Sequence, residues 1–424
     1  MKQPPILSLL LALSILTGCA AAGASTPIQP VSPPSPAPSL APVGQAVCFS
    51  EGLGDAYNDY ALRLFRSSRS EGKNTLLSPL SLTLALGMTA NGAQGDTLEA
   101  FEGLFGMSRD TLNSLCLRFL SDYSQLEGST RSTLVNSLWA DPDIALLDEF
   151  VLRCTDTYNA QLFHMDLQDP ATVDLVNQWA REMTNGLIPS VVDEFDPDAV
   201  LALINAVYLK NAFARPFEEP HSDWEMDFTT ADGTISHPKG MCNGTRQESY
   251  IEADNGRGVV LPYDDGRLGL LLMLPEEGLS LTDYLAGWNG STIPDLLSAQ
   301  RDTKVRLTMP KFKVEWSASL ASTLSALGLE AAFDPDRADF SPMGTFEDPN
   351  TTLYIGDVIH KTAFEVNEKG TEAAAVTAVI MEKATAVMPI DEPVLLTLDR
   401  PFVYAIIDLE LDTPLFLGTL ENCN

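Results

Sequence analysis

The chain has 424 residues, of which 45% are hydrophobic, so it is long enough to bury one large core or two ordinary ones. Its formal charge of −32 argues against nucleic-acid binding and against electrostatic attraction to anionic membranes, because both of those partners are polyanions. We interpret the acidic residues as a solubility surface rather than an acidic docking site.

The N-terminus has the organisation of an export signal. Lys2 precedes an apolar run at 6–15, which is shorter than the roughly 20 residues that cross a bilayer. The run leads into Leu-Thr-Gly-Cys, which is similar to a bacterial lipobox and predicts Cys19 as the lipidated first residue of the mature protein. An ordinary secretory peptide, cleaved slightly later, is the alternative.

These features divide the chain into three parts. Residues 1–19 are the predicted signal peptide with its lipobox, and residues 20–46 are a linker rich in Pro, Ser and Ala without apolar periodicity. Residues 47–424 are the predicted single folded domain. We expect an extracytoplasmic monomer that is secreted, or held at a bacterial cell surface by the lipid on Cys19.

Cysteine usage leaves the disulfide pattern open. Beyond Cys19 an odd number of cysteines remains, so at least one is unpaired within a single chain: Cys48, Cys116, Cys154, Cys242 and Cys423. Export permits disulfides, and Cys48 with Cys423 could join the ends of the domain. Buried free thiols are the commoner outcome and are the prediction here.

The predicted elements begin with helices and end with strands. Helices are predicted at 55–69, from the Ser78-Pro79 cap onwards, at 173–184 and at 320–327. Strands are predicted at 132–140, 201–210, 305–310 and twice within 401–420, and a hairpin joins 258–262 to 268–275. This order predicts an α+β fold.

No enzyme chemistry is evident in the sequence. A Gly-x-Ser-x-Gly elbow, a phosphate-binding loop, a zinc-protease helix and a Cys-x-x-Cys pair are all missing, so neither catalysis nor a metal or cofactor is predicted. His164, His221 and His237 lie in polar contexts typical of surface residues. The Glu276-Glu277 pair is typical of an exposed acidic turn.

Residues 365–380, EVNEKGTEAAAVTAVI, predict a strand that has no sheet of its own. Alternate residues on one face are small or β-branched and uncharged: Thr371, Ala373, Ala375, Thr377 and Val379. Glu372 falls on the other face. Because Gly370 is a flexible pivot and Ala is a poor strand former, the segment also fits a loop that enters a sheet later.

This pattern resembles the hinge and reactive-centre loop of the serpin family, and motifs elsewhere in the chain are similar to the same family. They follow the family's order: Asn74 with Leu77-Ser78-Pro79-Leu80-Ser81, then LINAVYLKNAFARPF at 203–217, then Val358-Ile359-His360-Lys361, and finally LTLDRPFVY at 396–404. The similarity extends from about residue 49 to the C-terminus.

The resemblance implies the serpin fold, in which helices surround a large central mixed sheet with smaller sheets and an exposed reactive-centre loop, here at about 368–398. It implies that a serine protease cleaves the loop and is trapped covalently when the loop inserts into the sheet. The family's hinge falls on the following residues: Glu368, Gly370, Thr371, Glu372, Ala373, Ala374 and Ala375. Its shutter, a polar latch under the central sheet, falls on Ser78, Ser81, Asn205 and His360.

Counting along the family's loop from Glu368 places the scissile bond between Ala384 and Thr385, with Lys383 second and Met388 third. Ala384 suits an elastase-like or subtilisin-like protease, whereas Lys383 suits a trypsin-like one. The alternatives are a cysteine protease as target, or a non-inhibitory serpin that acts as a binding or chaperone-like protein. Phe213 stands where many relatives have tryptophan, and no basic helix suggests a polysaccharide cofactor.

Overall fold

The structure, a computed structural model, describes residues 51–124, 126–186, 188–218, 222–348, 350–371 and 392–423. The predicted signal peptide, the linker, Cys19 and Cys48 lie outside the described residues. So does most of the predicted loop, with the hinge and cleavage residues Glu372, Ala373, Ala374, Ala375, Lys383, Ala384, Thr385 and Met388.

The helices of the described part are concentrated in the first half of the domain. They are α1 (Glu51–Ser68), α2 (Pro79–Ala90), α3 (Gly95–Phe105), α4 (Arg109–Tyr123), α5 (Asp148–Tyr158), α6 (Pro170–Met183), α7 (Leu281–Ala286), α8 (Thr292–Ser298), α9 (Ala321–Leu324) and α10 (Glu330–Phe333). The segment Ser325–Leu329 joins α9 to α10 and contains a kink at Gly328.

The strands become denser towards the C-terminus. They are β1 (Thr75–Leu77), β2 (Arg131–Ala140), β3 (Ala145–Leu146), β4 (Ala160–His164), β5 (Leu201–Ala212), β6 (Ser222–Glu225), β7 (Phe228–Thr229), β8 (Ile235–Ser236), β9 (Lys239–Cys242), β10 (Arg246–Ala253), β11 (Gly256–Pro262), β12 (Leu268–Pro275), β13 (Arg301–Pro310), β14 (Phe312–Ser319), β15 (Gly344–Thr345), β16 (Ile359–Asn367), β17 (Gly370–Thr371), β18 (Val394–Thr397), β19 (Phe402–Asp408) and β20 (Thr413–Leu420).

Two large sheets contain most of these strands, while β3 with β15 and β7 with β8 form two small sheets. Sheet I has the order β1-β20-β19-β12-β11-β10-β13-β9-β6, with β18 added parallel to β13. Sheet II has the order β14-β16-β17-β5-β2-β4 and is mixed, because β2 and β4 are parallel while its other pairs are antiparallel. Helices therefore accompany a large mixed sheet and a second sheet, and the predicted α+β class is confirmed.

Helix α2 is buried along almost its entire length between the two sheets. Its start is fixed locally, since the Ser78 side chain accepts a hydrogen bond from the Ser81 amide at 3.2 Å and Pro79 occupies the first turn. An all-apolar helix is stable in water only if it is covered on every side. The cap consequently places Ser78 and Ser81 at the centre of the molecule.

Helix α6 covers the other face of sheet II. Trp179 and Val176 of α6 pack with Trp139 of β2 and Ala206 of β5 in a separate hydrophobic cluster. Odd-numbered residues of β5 such as Leu209 face the main core instead. Helix α6 therefore covers the second face of sheet II at β2 and β5, whereas outer-face residues of β14 and β16, such as Lys313 and Glu365, are exposed. In the part of the chain that the structure describes, no helix has the length and apolar character needed to span a membrane.

Candidate functional site: the hinge and the cleft of sheet II

The predicted hinge begins inside the sheet rather than outside it. Gly370 and Thr371 form β17, which pairs with β16 through Val366 and Asn367 and with β5 through Asn211 and Ala212. The sequence predicted a strand without a sheet at 365–380, and this was wrong for 365–367, which end β16, and for Gly370 and Thr371. Two free strand edges converge at this point, and a polar backbone gains ladder hydrogen bonds there.

Gly370 is needed where the chain turns into β17. Its φ is 145°, and a Cβ at this position would lie 2.1 Å from the carbonyl oxygen of Asn211. The carbonyl of Lys369, one residue earlier, accepts a hydrogen bond from the Phe213 amide at 2.9 Å. The hinge can therefore approach β5 this closely only because Gly370 has no Cβ atom.

Gly370→Ala should lower the stability of the native form by about 1–3 kcal/mol, because both the φ value and the clash oppose a side chain. Gly356→Ala is the matched control, since a Cβ there meets nothing within 4 Å. Urea unfolding followed by tryptophan fluorescence measures both variants. Equal midpoints for the two variants would show that the approach of Gly370 to β5 is not needed.

Thr371 is anchored by an aromatic pair. Its side chain is 2% exposed, and its hydroxyl lies 2.5 Å from the Tyr263 hydroxyl. The Tyr263 ring stacks on Phe213 with a centroid distance of 5.5 Å and an interplanar angle of 2°. Burial raises the pKa of Tyr263 above its ordinary value, so the phenol stays protonated and can donate to Thr371. Phe213 thus supports the tyrosine that holds Thr371.

Glu368 is held by a shared ammonium group. Lys311 Nζ lies 2.8 Å from Glu368 Oε2 and 2.7 Å from Asp223 Oδ1. The Glu368 carbonyl also accepts a hydrogen bond from the Phe217 amide at 2.7 Å. Despite partial burial, the hydrogen bond and charge of Lys311 keep the pKa of Glu368 below its ordinary value. Both the side chain and the backbone of Glu368 therefore fix the start of the hinge.

Beyond Thr371 the edges of β5 and β16 face each other without pairing in the described part of the chain. The space between and beneath them is a cavity of about 1370 Å³, which is lined by residues 199–207 along one side and 356–363 along the other. We call this space the cleft. A backbone edge normally has its polar groups paired, so the cleft has the chemistry to accept another strand.

The four predicted shutter residues lie at the floor of the cleft in one hydrogen-bonded group. The Ser78 amide donates to His360 Nε2 at 3.1 Å, and the Ser81 hydroxyl donates to Asn205 Oδ1 at 2.5 Å. Ser78 and Ser81 are joined through the helix cap, while the Ser78 hydroxyl donates to the Leu415 carbonyl at 3.0 Å. The group links α2 to β5, β16 and β20.

Sequence reasoning missed Asn136, which extends this group. Asn205 Nδ2 donates to Asn136 Oδ1 at 2.9 Å, and Asn136 Nδ2 donates to the Tyr158 carbonyl at 2.7 Å. An amide within the otherwise strand-like run at 132–140 was the signal that could have identified it. Tyr263 and Lys311 were also missed, because nothing local distinguishes them from ordinary strand residues.

His360 is buried as a neutral imidazole. Burial lowers its pKa from the ordinary value of 6.5 to about 3. The Ser78 amide hydrogen bond requires an unprotonated Nε2, which agrees with the neutral form. The shutter group therefore contains a base that accepts no proton at neutral or mildly acidic pH.

Stability should fall as pH falls below 6.5, because His360 takes up a proton when unfolded but does not when folded, until pH approaches about 3. Between pH 7 and 5 this one group should lower the free energy of unfolding by about 1–2 kcal/mol. Urea midpoints of the wild type and His360→Gln, measured at several pH values, isolate the effect. Parallel pH profiles for the two proteins would contradict it.

The far end of the predicted loop also lies in a sheet. Val394–Thr397 forms β18, which pairs in parallel with Val305–Thr308 of β13. The predicted loop bounds of 368–398 therefore overlap ordered strands at both ends, because each end finds a free strand edge. Only 372–393 is left between β17 and β18.

The comparisons with known proteins agree with this geometry. The family model described as "Serpin (serine protease inhibitor)" matches residues 55–423. The chain is a serpin. It is similar to an uncharacterized serpin-like protein of Thermococcus kodakarensis, with 32% identity over 87% of this chain and 85% of that one. It is also similar to human neuroserpin, with 29% identity over 86% of this chain and 90% of that one.

Solved serpin structures show the same fold. The native state of tengpin, a thermophilic serpin, has 33% identity and a TM-score of 0.82, and covers 90% of this chain and 96% of its own. The latent state of tengpin gives 32% identity and a TM-score of 0.77, with 88% and 99% covered. Serpins are generally protease inhibitors rather than catalysts.

The remaining chemistry of this serpin offers no competing site among the described residues. No group of three or more His, Cys, Asp or Glu there could hold a metal ion. Cys116, Cys154, Cys242 and Cys423 are buried free thiols, as predicted. His164 and His237 are exposed, as predicted for surface residues, and His221 lies outside the described part.

Proposed function

We propose that this serpin is an irreversible suicide-substrate inhibitor of serine proteases that works by inserting its cleaved loop into the cleft of sheet II. The observation that carries the proposal is the short strand β17, which pairs with both β16 and β5 for two residues. Beyond Thr371 the facing edges of β16 and β5 are unpaired in the described part of the chain. The hinge thus marks both the point and the direction of insertion.

The register of β17 fixes what each loop residue would meet. Thr371 lies opposite Asn211 of β5 and Val366 of β16 in antiparallel pairing. Continued without a bulge, that register places Thr377 opposite Asn205 and His360. The one polar residue on the inner face between Ala373 and Val379 would therefore reach the polar shutter group. The other inner-face residues, which are alanines and a valine, would meet apolar side chains, except that Ala375 would also face Thr362, whose hydroxyl already donates to the Leu76 carbonyl.

The energetics favour insertion. Insertion of 372–380 would add about ten backbone hydrogen bonds at about 1 kcal/mol each. Burial of the small inner-face side chains adds about 0.8 kcal/mol per CH₂ group. The sum is large beside an ordinary domain stability of about 5–15 kcal/mol. Neither proline nor an inner-face charge occurs between Thr371 and Ile380 to oppose it.

The covalent step uses the protease's own chemistry. The protease serine attacks the Ala384 carbonyl carbon, an ester forms as the Ala384–Thr385 bond breaks, and the amine of Thr385 leaves with a proton. Insertion before hydrolysis would carry the attached protease along sheet II and preserve the ester. We propose Ala384 as the reactive residue, with Lys383 and Met388 as alternatives, and an elastase-like or subtilisin-like enzyme as target.

Incubation with elastase, subtilisin and trypsin tests the proposal. We expect an SDS-resistant complex with elastase or subtilisin, and mass spectrometry should find a released peptide that begins at Thr385. A peptide that begins at Ala384, with a trypsin complex, would move the reactive residue to Lys383. Cleavage without any complex, and without a rise in the melting temperature of the cleaved protein, would contradict inhibition by insertion.

A non-inhibitory serpin is the second hypothesis, and the hinge composition argues against it. The tengpin structures in native and latent states show that a relative adopts two conformations. The cleaved protein's melting temperature separates the hypotheses, since only an inserting serpin gains strand pairing after cleavage.

We further propose that the protein acts outside the cytoplasm, as a monomer attached through a lipid on Cys19. Expression of the full chain and of Cys19→Ser, followed by detergent phase partitioning, tests this. The wild type should enter the detergent phase and Cys19→Ser the aqueous phase. Equal partitioning of the two proteins would favour an ordinary secretory peptide.

A further inference from the structure

We propose that Lys210 and Arg131 form an electrostatic receiving site for Glu372, which is the first loop residue to enter the cleft. This inference rests on the insertion mechanism proposed above and adds the residues that control its first step. The site consists of two cations on the outer face of sheet II, next to the free edge of β5.

The position of the site follows from strand register. Thr371 is opposite Asn211 of β5, so the next residue in the same antiparallel register is opposite Lys210. On the other wall of the cleft that residue is opposite Glu365, because Thr371 is opposite Val366. Glu372 follows Thr371 in the sequence.

A row of charges crosses sheet II at this level. Lys313 of β14 is paired with Glu365 of β16, and Arg131 of β2 is paired with Lys210 of β5. Across the sheet the order is Lys313, Glu365, the unfilled position between β16 and β5, Lys210 and Arg131. The hydrogen bond and charge of Glu315 raise the pKa of Lys313, and the charge of Glu365 adds a smaller effect in the same direction. Among the described residues, no carboxylate forms an ion pair with either cation on the β5 side.

Lys210 and Arg131 carry like charges at directly opposite positions of β5 and β2, and the Arg131 guanidinium donates a hydrogen bond to the Thr130 carbonyl at 2.8 Å. Like charges directly opposite in an antiparallel pair are destabilising, and neither residue has an ion pair with any other described residue. A carboxylate in the free position would be adjacent to Lys210 and near Arg131. The Glu365 carboxylate opposes it from the other wall, because Lys313 is paired with Glu315 at 2.6 Å and not with Glu365. Two cations on the β5 side against one carboxylate on the β16 side would leave a net attraction for Glu372 at the first inserted residue.

The predicted effect is on the competition between insertion and hydrolysis of the acyl-enzyme. For partly exposed charges the gain corresponds to about a threefold to fivefold change in the ratio of the two rates. Lys210→Glu should therefore raise the substrate fraction, measured as the stoichiometry of inhibition minus one, by at least that factor. Lys210→Arg, which keeps the charge, should resemble the wild type.

Charge exchange makes the test specific. Glu372→Lys should raise the substrate fraction, and the double variant Lys210→Glu with Glu372→Lys should return it towards the wild-type value. Lys304→Glu is the control for net charge, because Lys304 is exposed on β13 of sheet I. The effect of Lys210→Glu should also shrink in 1 M salt, since exposed charges are then screened.

The outcomes separate this inference from the proposed function. If the wild type traps subtilisin or elastase, but Lys210→Glu behaves like Lys304→Glu or the double variant is no better than either single one, the receiving site is refuted and insertion stands. If the wild type neither traps a protease nor gains melting temperature on cleavage, both proposals fail. Rescue by the double variant at low salt supports the receiving site.

Discussion

Thr371→Arg is expected to be cleaved by the target protease without trapping it. Thr371 is 2% exposed and lies between two strands against Tyr263, so arginine there must bury a larger side chain and a charge. The nearby Asp265 carboxylate already accepts hydrogen bonds from Asn211 at 3.1 Å and Thr130 at 2.7 Å. Overpacking and a poorly compensated charge cost several kcal/mol, so the stoichiometry of inhibition should rise more than about tenfold.

The comparison variant is Thr371→Ser, which keeps the hydroxyl that meets Tyr263 and should still trap the protease. SDS gels of both variants after mixing with subtilisin or elastase give the measurement. A resistant complex of normal yield with Thr371→Arg would refute insertion through β17, since no strand could continue past a side chain that cannot enter.

His360→Ala is expected to reduce the lifetime of the native monomer. Loss of the imidazole leaves the buried Ser78 amide without its acceptor, which costs about 1–3 kcal/mol. The space left by the ring costs about 2 kcal/mol more, as for other large-to-alanine changes. Because His360 lines the cleft, we expect the sheet to open and the protein to shift to latent or polymeric forms.

Size-exclusion chromatography after incubation at raised temperature measures the monomer fraction of this variant. His164→Ala is the matched control, because His164 is exposed at the end of β4. Similar monomer yield and inhibition by His360→Ala and His164→Ala would show that His360 is not needed to keep sheet II closed.

Sequence reasoning was most successful where local patterns and the final environment agree. The apolar run after Ser78-Pro79 predicted the buried helix α2, and the long apolar run at 201–210 predicted β5 at the centre of sheet II. The hairpin of β11 and β12 is confirmed, with Gly266 at a φ of 73° in its turn. The family's motifs then located Ser78, Ser81, Asn205 and His360 together.

Features that depend on distant partners were not predicted. Helices α3 and α5 follow the N-cap residues Gln94 and Leu147, whose side chains make no capping hydrogen bond, so the sequence lacked a start signal. The predicted helix at 320–327 breaks at Gly328, whose φ is 108°, and continues as α10. The hinge pairing in β17 required knowledge that β5 and β16 leave free edges beside it.

The buried thiols make the opening rate of the native state measurable by alkylation. Burial raises the pKa of Cys116 to about 12, and the Cys423 thiol is shifted in the same way, so almost no reactive thiolate exists in the closed core. An alkylating reagent can modify these sulfurs only when the surrounding helices and strands separate. The rate of mass increase in iodoacetamide would thus report how often each variant of this protein opens, without any added dye.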